Sequence, residues 1–270
     1  MLLALTAAGL TFAHAAEKEE GAKLRLISEM SVVEPGKPFT VGVHIHHFPE
    51  FHSYWKSPGV VGYPTTVEWK LPEGFSAGPL EWPIPEKVDM AGHIAHGYTR
   101  DVLLTAVITP PAQIAGSEIT LDAQIAWMAC ADACHPGNEA FSLTLPVGAD
   151  AKPGPKHAKL FEQARASRPQ ALEGWKASVL STIDAKLIEL KLEPLDDSSP
   201  KLPDPYFYSE DGQISSIPPK IEKLPDASLI LRFERSKYGP EGVTHLPGLL
   251  EFGAEGSRTI RAINPDVPSK

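Results

Sequence analysis

Hydrophobic and polar positions alternate with a period of two through much of the first half of the chain. Phe39, Val41, Val43 and Ile45 are separated by Thr40, Gly42, His44 and His46, and Val67, Trp69 and Leu71 by Glu68 and Lys70. Ile119, Leu121, Ala123, Ile125 and Trp127 repeat the pattern, and Phe141, Leu143 and Leu145 resume it after a short break. Successive side chains of a strand point to opposite faces, so this period predicts strands with one buried face. Val102–Ile108 is almost wholly apolar and has the length of a buried strand. Pro/Gly turns separate these segments and no helical period intervenes. The pattern predicts an antiparallel β-sandwich of immunoglobulin-like kind over residues 22–147.

The pattern then breaks. Residues 148–155 lie in a run of Pro, Gly, Ala and Asp that reads as a linker. Lys156–Ser167 follows with Leu160, Phe161 and Ala164 at helical spacing, which predicts one short helix. Alternation returns at Ile188, Leu190 and Leu192 and at Leu229, Leu231 and Phe233, with further strands expected over 249–252 and 259–263. The fold class expected is all-β, a sandwich followed by a second, smaller β-rich domain over 156–270 that opens with the helix.

Composition narrows the function classes. A content of 27 Pro and 21 Gly argues against long helices, and 42% hydrophobic residues is enough for two ordinary cores. A net charge of −9 disfavours nucleic acid and anionic membrane surfaces as partners. Residues 1–12 are apolar and lead into Ala13-His14-Ala15, the form of a signal peptide spanning 1–15, so export to an oxidising compartment is expected. No later run reaches the length of a membrane span. Neither a Gly-rich phosphate loop nor a G-x-S-x-G elbow occurs, so nothing favours nucleotide or hydrolase chemistry.

The chain has two cysteines, Cys130 and Cys134, within Trp127-Met-Ala-Cys-Ala-Asp-Ala-Cys-His-Pro136. A bond between them closes a ring of about five residues, worth roughly 2 kcal/mol by loop entropy, so the pair is a weak staple. Three readings stand: a redox-active pair, a structural disulfide, or a metal site using both sulfurs. Continuous strand would hold residues i and i+4 about 13 Å apart, so a disulfide requires Ala131-Asp132-Ala133 to turn. That places both thiols in a turn at a sandwich edge. A protonated His135 would favour a thiolate there and Asp132 would oppose it. Spacing does not say which sulfur attacks.

At this loop the sequence resembles a known family. Together with His52-Ser-Tyr-Trp-Lys-Ser-Pro-Gly-Val-Val-Gly62, Trp69-Lys-Leu-Pro-Glu-Gly-Phe75, Trp82-Pro-Ile-Pro85 and His96-Gly-Tyr98, it is similar to the N-terminal periplasmic domain of DsbD-type thiol:disulfide interchange proteins, in particular the variants related to the copper-sensitivity suppressor ScsB. The resemblance implies an immunoglobulin-like sandwich in which Cys130 and Cys134 shuttle between disulfide and dithiol; Trp127, Asp132 and His135, read from their chemistry and position, are the expected supporting neighbours. It implies a cap loop over the pair, at Asp89, Met90 and Ile94, with Met90 or Ile94 in place of the family's aromatic. It also implies periplasmic thioredoxin-like or disulfide isomerase-like partners. No thioredoxin-like C-x-x-C occurs in the sequence, so the expected reductant is a membrane thiol reductase acting in trans. No cofactor is expected.

One further cluster points elsewhere. His44, His46 and His47 lie close together, and His44 and His46 share a strand face, a period that suits metal ligation. A copper-binding or copper-tolerance protein is therefore the alternative reading, and a β-sandwich interaction module with a structural disulfide is a third.

Overall fold

The structure, a computed structural model, describes residues 21–182, 184–254 and 256–269. The signal peptide read over 1–15 lies outside the described residues. Among these residues, no helix is long and apolar enough to cross a membrane. The protein is all-β with a single described helix.

The first half contains β1 (Ala22–Ser28), β2 (Phe39–His47), β3 (Ser53–Gly59), β4 (Thr66–Lys70), β5 (Ser76–Ala77), β6 (Glu86–Met90), β7 (His93–Tyr98), β8 (Val102–Thr109), β9 (Glu118–Cys130) and β10 (Cys134–Pro146). One sheet runs β1-β2-β8-β5, and a second runs β10-β9-β4. Their apolar faces meet as the alternation predicts. Val43, Ile45 and Leu104 from the first sheet share a buried cluster with Ala123, Ile125 and Trp127 from the second. Val41 and Ile108 meet Leu121 and Leu145 in a further cluster towards the other end.

A third sheet, β3-β7-β6, stands beside this immunoglobulin-like sandwich. Alternation does not mark it, because β3 is buried along most of its length rather than on one face. Pro58 has no N–H for a ladder, and the β3–β7 register shifts between Tyr54 and Gly59. β6 and β7 form a tight hairpin through Ala91 and Gly92, both at positive φ (53° and 84°), as a two-residue primed turn requires.

Residues 147–154 run back along the start of the sandwich, where the Ser31 N–H donates to the Lys152 carbonyl and the Gly154 N–H to the Glu29 carbonyl. The helix α1 (Ala158–Ala166) follows. It buries Phe161 and Ala164 against Ile27 of β1 and Leu103 of β8, so the element expected to open the second β-rich region docks on the first. The second half then forms β11 (Gln170–Ala171), β12 (Trp175–Val179), β13 (Leu187–Pro194), β14 (Tyr206–Ser209), β15 (Lys220–Lys223), β16 (Leu229–Glu234), β17 (Gly248–Phe252) and β18 (Thr259–Ile263). Its sheets run β12-β13-β16-β15 and β11-β18-β17-β14, and they enclose Leu190, Leu192, Leu231, Phe207 and Leu250.

The halves share a core. Trp55 and Tyr98 pack with Tyr206, Tyr208, Leu249 and Ile260 in one buried cluster. Polar groups cross the same junction: His96 Nε2 lies 2.7 Å from the Tyr206 hydroxyl, Lys56 pairs with Glu210 at 2.6 Å, and Lys87 with Glu251 at 2.5 Å. Burial raises the Glu251 carboxyl, but its bonds from Lys87 and Tyr208 outweigh that and hold it below the ordinary carboxylate range.

Candidate functional site

Cys130 and Cys134 are joined in a disulfide with Cα atoms 4.1 Å apart. The sequence reading put both cysteines in a turn. Instead, Cys130 is the last residue of β9 and Cys134 the first of β10, directly opposite one another in the antiparallel register. Only Ala131-Asp132-Ala133 turn, closed by the Ala131 N–H donating to the Ala133 carbonyl at 3.0 Å. Small residues suit that tight connection, and Asp132 is exposed at its tip.

The two cysteines differ in burial. Along β9, the odd-numbered residues from Ile119 to Ala129 face the core and the even-numbered ones face outward. Cys130 has outward parity, yet it is 0% exposed. Its cover is tertiary: Tyr54 of β3 and Ala95 of β7 pack with it, together with Val61, Met90 and Met128. Cys134 is exposed. One half of the disulfide is therefore open to solvent and the other is sheltered.

The cap-loop residues occupy the β6–β7 hairpin. Met90 ends β6 and joins the apolar group around Cys130. Asp89 is exposed, and its Oδ1 accepts the Gly92 N–H at 3.1 Å, closing the turn. Ile94 packs on the main core, while its carbonyl accepts a hydrogen bond from the Ser216 hydroxyl of the second half.

The other neighbours sort by strand face. Trp127 points into the sandwich, 6% exposed, over Gly137, where an added Cβ would lie 2.1 Å from the indole. Alternation turns His135 to the face opposite Cys134. Its ring meets Phe51 edge-on at 5.4 Å. The histidine on the cysteine face is His52. Its N–H donates to the Cys130 carbonyl at 3.0 Å and its carbonyl accepts the Cys130 N–H at 2.9 Å. Burial lowers the His52 pKa, and its Nε2 has no hydrogen-bond partner, nor does the buried hydroxyl of Tyr54. Local spacing gave no sign that His52 and Tyr54 adjoin Cys130, since the pairing comes from a distant part of the chain.

The histidine cluster divides. His44 and His46 both reach Asp101, at 3.3 and 2.8 Å. His47 turns the other way and is buried, with Nδ1 3.0 Å from the Arg100 carbonyl and Nε2 2.8 Å from the Ser53 hydroxyl. Both of its nitrogens are thus engaged by the fold, and burial brings its pKa down to about 4. Among the described residues, no group of three or more His, Cys, Asp or Glu side chains is arranged to hold a metal ion.

A hairpin disulfide with one cysteine exposed and one covered, on an immunoglobulin-like sandwich, leaves one of its two residues within reach of a thiolate. Residues 25–146 match the family model described as thiol:disulfide interchange protein DsbD, N-terminal, and this segment is a DsbD-type N-terminal domain. No curated protein sequence matches the chain. Of solved structures, the N-terminal periplasmic domain of ScsB from Proteus mirabilis aligns with 94% of this chain and 96% of its own, at a TM-score of 0.65 and 16% identity. At that identity the likeness establishes the fold, and it spans both β halves. The sporulation control protein Spo0M from Bacillus subtilis aligns at a TM-score of 0.26 and 9% identity, over 91% of this chain and 90% of its own, too remote to carry an argument.

Proposed function

We propose that this protein is an exported, periplasmic redox carrier that exchanges electrons with thioredoxin-like or disulfide isomerase-like partners at Cys130 and Cys134. Its reductant is a membrane thiol reductase on a separate polypeptide. The observation that carries the reading is the unequal burial of the two cysteines within a DsbD-type domain. Exchange needs an in-line approach of a thiolate to one sulfur. The exposed Cys134 offers that approach and the covered Cys130 does not.

In the reducing direction, a donor thiolate attacks Cys134 Sγ. The Cys130–Cys134 bond breaks and Cys130 departs as a thiolate that takes up a proton. The donor's second thiolate then attacks its own sulfur in the mixed disulfide and releases Cys134. Two electrons have moved, the donor is now a disulfide, and this protein is a dithiol. Towards an acceptor the steps reverse: Cys134 attacks, and Cys130 resolves the mixed disulfide. Met90 and the β6–β7 hairpin act as the cap that keeps small oxidants and thiols from Cys130 between encounters.

Redox titration with thiol trapping tests this reading, since inert structural disulfides have potentials below about −300 mV. A pair that equilibrates above that range supports a carrier; one that stays oxidised in more reducing buffers sinks the proposal. Single-cysteine variants test the order of attack. Cys130→Ser, which keeps Cys134, is expected to trap a mixed disulfide with a thioredoxin-like protein, and Cys134→Ser is not.

A further inference from the structure

Antiparallel residues that exchange both backbone hydrogen bonds stand directly opposite one another, with side chains on the same face. Cys130 has two opposite neighbours: Cys134 on β10 and His52 beside β3. The three residues form a row, His52, Cys130 and Cys134, with Cys130 in the middle. His52 is 5% exposed, and its Nε2 is buried without a partner. The ring of Tyr54, two residues on and on the same face, stands edge-on to it at 5.3 Å, with its own buried hydroxyl unpartnered. Buried polar atoms are almost always hydrogen-bonded, so an orphan pair beside a redox bond calls for an explanation.

The oxidised state gives this imidazole little to bind, because disulfide sulfurs carry no proton and no charge. Reduction supplies what is missing. A buried sulfur then appears at Cys130 that has to be protonated or, if ionised, hydrogen-bonded.

We propose that His52 handles the proton of Cys130. When the Cys130–Cys134 bond breaks, its electron pair leaves on Cys130 Sγ, and Nε2–H of the neutral imidazole donates a proton to that thiolate. Nδ1 takes a proton from solvent in the same event, so His52 ends neutral, with its proton moved from Nε2 to Nδ1. In the oxidising direction Nε2 takes the thiol proton as Cys130 attacks the mixed disulfide. The inference rests on the exchange reading above. Burial is the one cause that moves the His52 pKa, downward from 6.5, so the ring is neutral near pH 7 as the step requires. The titratable groups placed against it are Tyr54 of β3, His47 on β2 and Cys130 opposite it, and no charged group contributes to its shift.

The test is the pH dependence of disulfide reduction by dithiothreitol and by reduced thioredoxin in wild type and His52→Gln. The variant is expected to react at least tenfold more slowly near neutral pH, and to lose the inflection that titration of His52 imposes on the wild-type profile. A rate and profile equal to wild type in a folded variant would overturn the proposal. If His52→Gln does not fold, 15N NMR of the imidazoles in wild type decides. The His52 Nε2 signal is expected to move on reduction, while those of His47 and His96 stay; an unmoved His52 signal overturns it. A wild-type pair that resists reduction altogether would instead remove the exchange reading.

Discussion

At the scale of single residues, the site depends on parity and on one missing side chain. Cys130 sits at an outward-facing position of β9, so its complete burial is imposed by neighbours rather than by its own strand. Gly137 faces Trp127 across the hairpin, and a Cβ there would come within 2.1 Å of the indole. Gly137→Ala is therefore expected to push Trp127 out of its place and cost about 1–3 kcal/mol, as overpacking does. Urea denaturation followed by tryptophan fluorescence measures this. Substitution of the neighbouring, exposed Asn138 by Ala should stay within about 0.5 kcal/mol. Equal effects at the two positions would contradict the packing argument.

At the scale of elements, the disulfide belongs to a β9–β10 hairpin, and its cover belongs to β3 and the β6–β7 hairpin. Met90 is the cover residue nearest the end of β6, partly exposed itself and packed with Tyr54 and Ala95 around Cys130. Met90→Ala is expected to raise the rate of disulfide reduction by dithiothreitol several-fold while changing the melting temperature little, because it removes shelter at the rim. A rate that does not change would show that β3 alone protects Cys130. The β3–β7 register shifts beyond Tyr54 and resumes at Gly59 opposite Ala95, so β3 stays paired with β7 on both sides of the irregularity.

At the scale of the whole molecule, buried histidines make stability depend on pH, His47 within the first half and His96 at the junction of the two. Burial lowers His47 and His96 to about 4 from an ordinary 6.5. The unfolded chain therefore binds more protons between those values. The stability these histidines allow is present above about pH 6.5 and is lost as the pH falls towards 4, by at most about 1.4 kcal/mol per pH unit for each. Urea midpoints across that window should fall steadily, and His96→Gln should flatten the slope. Glu251 has a depressed pKa, so its contribution is fully present above its ordinary 4.5 and is lost as the pH falls below that and the carboxylate itself protonates. Lys87→Met leaves that buried carboxylate short of a partner. The expected cost is about 1.5–3 kcal/mol, towards the lower end because the Lys87 ammonium is partly in water. A variant as stable as wild type would mean that Tyr208 and Arg258 satisfy Glu251 alone.

Much of this was legible in the sequence. Period-two alternation marked β2, β4, β9, β10, β13 and β16, because each of these strands has one wet and one dry face. The cysteine spacing forced a turn, and the neighbouring motifs pointed to the family. β3 and β7 were not marked, since segments buried on both faces carry no alternating signal; β6 does alternate, Val88 and Met90 against Lys87 and Asp89, but over too few residues to stand out. For the same reason the helix could be found from its spacing but not its docking partner. Sequence by itself determined that two cysteines form a close pair on an all-β frame, because local geometry and side-chain period act within a few residues. Only the tertiary structure decided that Cys134 is open, that Cys130 is covered, and that His52 rather than His135 stands beside it, because those relations are made by strand pairing between segments far apart in the chain.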